Sequence, residues 1–408
     1  MNKKRFVLFA LLLTLILVGI PVVSAQDSSG VQTYTLGVAQ PFTGSLGTYG
    51  TDFGKGIQLA VDQMNQQLSD AGVKIKFVVA SADTTGTPDG AAKAVQTIVQ
   101  TTGAQVIVGP LTTSEVLGAK QFADSNNIVL VAPASTGVDA AIPNDSIFRV
   151  FDPPDNFAAK AFVQIAVARG YANVVILHVD DPFGNGIVSA FTPDFQAAGG
   201  KQVEDVKYAP NPTDLSSEAT ALSSDVASLS ASGKTAILCA CYLADAEKLL
   251  PAAELDPTLS STDWMGVENL ASPDILKDSG AADFLRKANF ISVSASDSST
   301  PLSQEFIDAF KAKYGTDPGP FTNYAYDAAN IAMLSMVVAG NDGKAVKQIL
   351  PYIADHYIGT TVQAYLDANG DQAVANYGIK EVDPSNPDFV VVGTYDGSTD
   401  KVTMNAGS

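Results

Sequence analysis

The chain has 408 residues, of which 46% are hydrophobic and 16% are charged, and its formal net charge is −19. This proportion of apolar residues excludes an intrinsically disordered chain, and the length predicts two or three compact units that do not need disulfides. The negative charge disfavours binding to nucleic acid or to anionic lipid, because an acidic surface repels both.

The first 25 residues have the pattern of a secretory signal peptide. Residues 3–5 are basic, residues 6–20 form an apolar run with one Thr, and Val23-Ser24-Ala25 supplies a small-x-small cleavage site. Cleavage after Ala25 removes three positive charges and no acids, so the net charge changes from −19 to −22. No cysteine lies near the cut to carry a lipid, so we expect a protein of the periplasm or the extracellular space. An uncleaved membrane anchor is the alternative.

From residue 33 onward, short β-branched runs alternate with longer helical patterns. Near-continuous apolar strands that alternate with helices are typical of parallel sheets covered on both faces, so the sequence predicts an α/β fold. The predicted strands are 34–39, 75–80, 106–108, 128–132, 147–151, 174–179, 203–208, 235–239, 263–267 and 290–293. The predicted helices are 52–71, 89–101, 114–125, 157–169, 186–198, 215–231, 244–254, 302–314 and 324–339.

Two interruptions of this alternation predict crossings between domains. The first is segment 149–155, whose Pro153-Pro154 pair can continue neither a helix nor a central strand. The second is segment 292–301, which is rich in Ser, Thr and Asp. Strand character returns in the tail at residues 389–392.

The common signatures of catalysis and cofactor binding are incomplete. The Gly-rich segment 47–56 lacks the Lys-Ser or Lys-Thr pair of a phosphate-binding loop. Segment 367–371 begins like a calcium loop but lacks its later ligands, so it is predicted to be a turn. His178 falls in an apolar strand and is predicted to be a hydrogen-bonded core residue. We therefore expect no enzyme, no cofactor and no metal, although catalytic groups could be scattered along the chain.

The only cysteines of the chain, Cys239 and Cys241, fall at one predicted strand. In an extended strand their Cα atoms would be ~6.6 Å apart, at the edge of disulfide reach. A C-x-C pair alone does not supply a zinc site. We therefore predict two small core residues.

Two polar turns point to a ligand. In segment 109–115, Thr112 and Glu115 have the spacing of a capping box, which satisfies a helix N-terminus. The hydroxyls of Thr113 and Ser114 and free amides still point out of the strand's carboxyl end, where the helix dipole favours an anion. Segment 132–137 closes the next strand and should lie beside the first turn. Ordinary turn chemistry would explain these residues equally well.

Short motifs follow one another in a specific order along nearly the whole mature chain. They are Leu36-Gly37-Val38, Pro41-Phe42-Thr43-Gly44, Ala60-Val61-Asp62-Gln63-Met64-Asn65, Val108-Gly109-Pro110, Pro133-Ala134-Ser135-Thr136, Phe148-Arg149 with Asp155, Asp180-Asp181-Pro182-Phe183-Gly184-Asn185-Gly186, Met265-Gly266-Val267-Glu268 and Tyr326-Asp327-Ala328. In this order they resemble type I periplasmic binding proteins of the leucine/isoleucine/valine-binding kind. The resemblance implies two Rossmann-like lobes with parallel sheets, joined by a three-stranded hinge. Residues 26–152 and about 294–360 would form the N-terminal lobe, and residues 153–293 and about 361–408 the C-terminal lobe.

The resemblance also implies a site that holds an amino acid between the lobes. The hydroxyls of Thr113 and Thr136, with backbone amides, would bind the α-carboxylate. The carbonyl of Ser135 and the side chain of Glu268 would hold the ammonium group through charge-assisted hydrogen bonds. Glu268 is the most informative of these residues, because an acid directly after an apolar strand is unusual unless it is exposed or paired.

Aromatic residues would form the walls of this site. They are Tyr49, Phe183 and Tyr242, for which ordinary packing is the alternative explanation. The chain departs from the family's pattern at three places, so the identity of the ligand is not implied. These are Thr113 instead of Ser, Ser135 instead of Ala, and Cys239-Ala240-Cys241 instead of a Gly-rich segment.

The function implied by the resemblance is that of an extracytoplasmic substrate-binding protein of an ABC importer. It would capture a small aliphatic amino acid, such as a branched-chain one, by lobe closure, and deliver it to the membrane subunits of the permease as a monomer. Three alternatives remain at this point. They are a ligand-sensing receptor of the same fold, a binder of a short amide or aromatic acid, and a secreted hydrolase.

Overall fold

The computed structural model describes residues 30–295, 300–360 and 364–405, and the predicted signal peptide lies outside these ranges. The chain forms two β-sheets, each covered by helices, in two lobes. The predicted α/β class is therefore confirmed. Within the described ranges, none of the helices is both long and apolar enough to span a membrane.

Strands and helices alternate in the predicted manner along most of the chain. The strands are β1 (Gln32–Gln40), β2 (Ile75–Asp83), β3 (Val106–Val108), β4 (Val129–Ala132), β5 (Ile147–Arg149), β6 (Asn173–Val179), β7 (Gln202–Tyr208), β8 (Thr235–Ala240), β9 (Asp263–Gly266), β10 (Ile291–Ala295), β11 (Asn376–Val382), β12 (Phe389–Asp396) and β13 (Lys401–Met404). The α-helices are α1 (Gly47–Asp70), α2 (Pro88–Thr102), α3 (Thr113–Asn126), α4 (Asp155–Ala168), α5 (Pro182–Ala197), α6 (Ser216–Ser230), α7 (Leu243–Leu255), α8 (Pro257–Ser260), α9 (Ser279–Lys287), α10 (Pro301–Tyr314), α11 (Thr322–Ala339) and α12 (Gly343–His356).

The first sheet has five parallel strands in the order β2-β1-β3-β4-β5. Every residue of β3 and β4 is buried, as their continuous apolar sequences predict. One face of the sheet packs against α1, α11 and α12, and the other packs against α2 and α3. Because the strands are parallel, their carboxyl ends all meet at one edge of the sheet.

The second sheet has eight strands in the order β13-β12-β11-β10-β9-β8-β6-β7. Strands β6 to β10 are parallel, but β11, β12 and β13 add to β10 in antiparallel pairs, which the prediction of parallel sheets missed. Short turns join β11 to β12 and β12 to β13, and short turns connect antiparallel neighbours. The outer strand β7 carries three exposed charged residues, Glu204, Asp205 and Lys207, which disfavour further pairing at that edge.

The chain passes between the two sheets in three places within or next to the described ranges. It leaves β5 of the first sheet and enters α4, which packs in the core of the second lobe. It leaves β10 of the second sheet and enters α10, which packs against α1. It finally leaves α12 in the core of the first lobe and enters β11. These three passages connect the two lobes.

Cys239 and Cys241 are buried, as predicted, but they form a disulfide. The prediction of two separate core residues is therefore wrong on this point. Strand β8 ends at Ala240, so Cys241 is no longer in an extended strand, and the two Cα atoms are 5.5 Å apart. That separation lies within the usual range for a disulfide. His178 is buried and hydrogen-bonded, as predicted.

Gly109 lets two central strands of the first sheet end side by side. It follows β3 and has a φ of +108°, which side chains rarely adopt. A Cβ atom at this position would lie 2.1 Å from the carbonyl oxygen of Ala39 in β1. The close approach fixes the backbone just before the turn that begins α3.

We expect Gly109→Ala to reduce the free energy of unfolding by about 2–4 kcal/mol, because it adds both backbone strain and a steric clash. Gly72→Ala is the matched control. Gly72 also has a positive φ, of +71°, but no atom lies within 4 Å of an added Cβ, so only about 1 kcal/mol should be lost. Urea denaturation measures both values. Equal losses in the two variants would show that the contact with Ala39 is unimportant.

Candidate ligand site

A cavity of about 90 Å³ lies between the two lobes, at the carboxyl ends of strands from both sheets. Residues that follow β3 and β4 line it from the first lobe, and residues that follow β8 and β9 line it from the second. In each sheet the strand order reverses beside these strands, between β1 and β3 and between β6 and β8. Ligands of open α/β sheets bind at such reversals, so this cavity is the candidate ligand site.

A wider cavity of about 990 Å³ adjoins the candidate site. The two share Glu268, Asn269 and Phe321 as lining residues. The wider cavity is lined by charged side chains of both lobes, including Lys55 and Lys277. The small cavity therefore adjoins a wider cleft between the lobes.

Six of the eight predicted site residues line the candidate site, and all eight lie in the described ranges. Ser114 and Ser135 lie outside this lining. Ser114 is half-buried in the first turn of α3, and Ser135 is buried with its Oγ 3.2 Å from Thr113 Oγ1. The six lining residues are Tyr49, Thr113, Thr136, Phe183, Tyr242 and Glu268.

The N-terminus of α3 forms one end of the cavity. The predicted capping box is confirmed, because Thr112 Oγ1 accepts from the N–H of Glu115 and Glu115 Oε2 accepts from the N–H of Thr112 at 2.8 Å. This cap does not use the N–H groups of Thr113 and Ser114. Unused amides at the positive end of a helix favour an anion.

The turn after β4 lies against this helix end. Thr113 Oγ1 accepts from the N–H of Gly137 at 2.8 Å, which joins the two polar turns as the sequence predicts. The carbonyl of Ser135, predicted to bind an ammonium group, instead accepts from Arg149 Nη1 at 3.2 Å. A second cation at that oxygen would face the positive guanidinium, so this carbonyl is a poor place for an ammonium group.

Glu268 lines the cavity from the second lobe, two residues after the end of β9. Its Oε1 accepts from the N–H of Ala295 at 2.8 Å and lies 3.4 Å from Ser294 Oγ. These contacts tie the carboxylate to the end of β10, where the chain leaves the second sheet. Glu268 therefore faces both the cavity and a passage between the lobes.

Two further carboxyl groups, Asp152 and Asp155, line the cavity and were not predicted as ligand contacts. Burial, followed by the negative charges of Glu268 and Asp155, raises the pKa of Asp152 well above its usual value, whereas Arg149 lowers it. Both acids flank the Pro153-Pro154 pair. The sequence predicts a crossing between domains at that pair, and such crossings border the cleft between lobes. Asp152 and Asp155 could therefore have been predicted as site residues.

Asp155 begins α4 and is only 4% exposed. Its backbone N–H donates to the carbonyl of Thr136 at 2.8 Å, and within the described part of the chain Oδ2 has no hydrogen-bond partner. Burial raises the pKa of Asp155 to about 7, against the opposing effects of the Thr136 side chain and Arg149. An unsatisfied buried carboxyl group is costly, and a ligand cation would offset that cost.

Aromatic rings enclose the space between the two polar ends. The rings of Phe183 and Tyr242 stack at 5.4 Å, and those of Tyr49 and Phe321 stack at 6.4 Å. Tyr242 Oη donates to Asp181 Oδ2 at 2.8 Å, so its ring is held in a fixed orientation. Burial raises the pKa of Tyr49 and of Tyr242 above the ordinary tyrosine value. Nothing in the sequence predicts that Phe321 lines the cavity.

The cavity thus combines an end that favours an anion, a side that favours a cation, and apolar walls between them. A small zwitterion with an apolar side chain satisfies all three features. This combination and the fold define a ligand-binding protein with two lobes.

The chain belongs to the periplasmic binding protein family, whose model matches residues 33–387. It is a type I periplasmic binding protein of the leucine/isoleucine/valine-binding type. An uncharacterised protein of Methanocaldococcus jannaschii is 25% identical over 400 residues and covers 93% of both chains. Leu/Ile/Val-binding protein homolog 3 of Brucella melitensis is 24% identical over 327 residues, which is 79% of this chain and 84% of the relative.

Solved structures show the same fold. The leucine-binding protein LivK of Thermotoga maritima has a TM-score of 0.71 at 20% identity and covers 90% of this chain and 99% of its own. A solute-binding protein of R. palustris, solved in complex with benzoate, has a TM-score of 0.74 at 17% identity and covers 92% and 98%. The fold is thus one of solute-binding proteins and not of an enzyme family.

We expect Asp155→Asn to stabilise the ligand-free protein while weakening the binding of a cationic group. Because the pKa of Asp155 is raised to about 7, the folded protein holds a proton that the unfolded chain releases from about pH 4 upward. Stability therefore falls as the pH rises from about 4 to 7. The Asn variant avoids this loss, so at pH 8 its free energy of unfolding should be greater by up to about 4 kcal/mol.

The measurement is urea denaturation of both proteins at pH 4.5 and pH 8. Asp308→Asn, at an exposed position on α10, is the matched control and should follow the wild type at both pH values. If Asp155→Asn has the same pH dependence as the wild type, the carboxyl group of Asp155 does not titrate as its burial requires.

Proposed function

We propose that this protein captures a small aliphatic α-amino acid outside the cytoplasm and delivers it to an ABC importer. The observation that carries the proposal is the pairing, across one small cavity, of a helix N-terminus with carboxylates. An α-amino acid has the complementary anion and cation on one carbon atom.

The α-carboxylate is proposed to bind at α3. The N–H groups of Thr113 and Ser114 would donate to it, and the hydroxyl of Thr136 would donate from the adjoining turn. Thr113 Oγ1 already accepts from Gly137, so its hydroxyl hydrogen remains for either Ser135 Oγ or the ligand. Each charge-assisted hydrogen bond contributes roughly 1.5–3 kcal/mol.

The ammonium group is proposed to bind between Glu268 and Asp155. Asp155 replaces the carbonyl of Ser135 in this role, because Arg149 already donates to that carbonyl. At pH values below about 7 the ammonium group must displace a proton from Asp155, so ligand affinity should increase with pH in that range.

The walls support an apolar side chain. Tyr49, Phe183, Tyr242 and Phe321 present rings to the cavity, and the volume of about 90 Å³ is small compared with the sites of drug-sized ligands. The Leu/Ile/Val-binding names of several relatives, including the Brucella melitensis protein, support the same ligand class.

An aromatic acid is the second candidate ligand, favoured by the benzoate complex of the R. palustris structure. Its carboxylate would also suit α3. Its apolar ring, however, would lie next to the buried Oδ2 of Asp155, which has no hydrogen-bond partner in the described part of the chain, and would offer it neither a donor nor a cation. The carboxyl groups of the cavity therefore favour the amino acid.

Delivery to an importer rests on the family and on the sequence. The family is extracytoplasmic, and the predicted signal peptide would export the chain. We propose that the lobes, 26–152 with about 294–360 and 153–293 with about 361–408, close over the ligand about the three connecting segments. A sensory role would use the same site, and permease and ATPase genes beside this gene would favour transport.

Isothermal titration calorimetry against the twenty amino acids and benzoate, at pH 8, tests the proposal. We expect aliphatic amino acids to bind and benzoate to bind weakly or not at all. Glu268→Gln should weaken binding about 10- to 100-fold, because it removes one charge-assisted contact to the ammonium group. Glu204→Gln, on the exposed strand β7, is the control and should bind as the wild type does.

Two results would contradict the proposal. The first is that none of the amino acids binds to the wild-type protein. The second is that Glu268→Gln and Glu204→Gln bind leucine equally well, which would place the ammonium group elsewhere. Binding of benzoate alone would favour the second candidate.

A further inference from the structure

Arg149 is almost completely buried at the end of β5 and does not line the cavity. Its Nε and Nη2 donate to the two carboxylate oxygens of Asp371, at 2.6 and 2.5 Å. Asp371 lies in the third connection between the lobes, between α12 and β11. The guanidinium thus binds a segment that is 222 residues away in the sequence.

The backbone of Arg149 holds the same connection. Its N–H donates to the carbonyl of Gly370 at 2.9 Å, and its carbonyl accepts from the N–H of Gln372 at 3.0 Å. The connection therefore runs beside β5 as a short parallel neighbour. Side chain and backbone together fix residues 370–372 to the edge of the first sheet.

The remaining nitrogen of the guanidinium reaches the ligand turn, residues 135–137. Nη1 donates to the carbonyl of Gly137 at 2.7 Å and to that of Ser135 at 3.2 Å. With both carbonyls turned toward the guanidinium, the N–H of Gly137 points the other way, to Thr113 Oγ1, and Thr136 lines the cavity. One side chain therefore holds two of the turn's three carbonyls, and the N–H of Gly137 joins the turn to Thr113.

We propose that Arg149 is a positioning residue that locks the ligand turn, residues 135–137, to the third connection between the lobes. The proposal rests on the proposed function, because it assigns Arg149 the task of holding the groups that would bind the ligand's carboxylate. Since residues 370–372 are held against β5, the turn and this stretch of the connection are fixed to each other and to the first sheet.

Stability alone is a poor reason for this arrangement. A buried ion pair contributes little net stability, since its desolvation cost offsets the attraction between the charges. An arginine is required for another reason, because only its planar fork can bind a carboxylate with two nitrogens and still donate to two carbonyls. Lysine keeps the charge but offers no such fork.

Arg149→Lys tests the proposal, with Arg169→Lys as the matched control. Arg169 also forms a partly buried ion pair, with Glu381, and donates to the carbonyl of Asn289, but these contacts lie within the second lobe. The first measurement is amide hydrogen exchange of Gly137 and Gln372, which needs no ligand. The second is calorimetry with L-leucine as the probe.

For Arg149→Lys we expect about tenfold faster exchange at Gly137 and Gln372, with exchange in β6 unchanged, and about tenfold weaker leucine binding. Arg169→Lys should leave all of these values at the wild-type level, even if its melting temperature falls. A merely stabilising role would speed exchange throughout the protein and would not single out these two amides.

Exchange at Gly137 that stays at the wild-type rate in Arg149→Lys would overturn the proposal. If this variant does not fold, Asp371→Asn breaks the link from the other side, and the same faster exchange at both amides is expected. If the wild-type protein binds no amino acid, the proposed function fails, but the exchange experiment still decides whether Arg149 positions the turn. Faster exchange with unchanged leucine affinity would overturn the role in binding.

Discussion

The site depends on bringing buried carboxyl groups and a helix N-terminus together in the lining of one small cavity. Asp155 is buried without a full set of hydrogen bonds, and Glu268 lies close enough for its charge to raise the pKa of Asp155. The end of α3 supplies positive potential on the other side. Neither feature is favourable by itself, because each leaves polar groups unsatisfied. A ligand that carries both charges satisfies them together.

This combination of groups comes from both lobes. Parallel strands bring all their carboxyl ends to one edge of the sheet. A single sheet could therefore offer helix N-termini at that edge but few acidic side chains near the same ligand. Here the first sheet provides α3 and the turn after β4, while Glu268 comes from the second sheet and Asp155 from the segment between them. The cavity therefore contains both kinds of charged group because the edges of two sheets face it.

Local features of the site could be predicted from the sequence, whereas distant pairings could not. The capping box of Thr112 and Glu115 involves residues three apart, and Glu268 stands out because it follows an apolar strand directly. Arg149 and Asp371, by contrast, are 222 residues apart, and nothing in either segment indicates its partner. The antiparallel strand β11 was missed because its residues show no clear alternation, and β13 was missed because it has only four residues. The disulfide was missed because an extended backbone was assumed from Cys239 through Cys241, whereas β8 ends at Ala240 and the two Cα atoms are 5.5 Å apart.

The link between Cys239 and Cys241 lies immediately before Tyr242, one of the rings that enclose the cavity. Disulfides persist in oxidising compartments and are reduced in the cytosol of most organisms. A chain produced in a reducing cytosol would therefore hold two thiols at this place, and the backbone leading to Tyr242 would lose a covalent restraint. Whether the Cys239–Cys241 disulfide has formed in a preparation therefore affects how the protein recognises a solute.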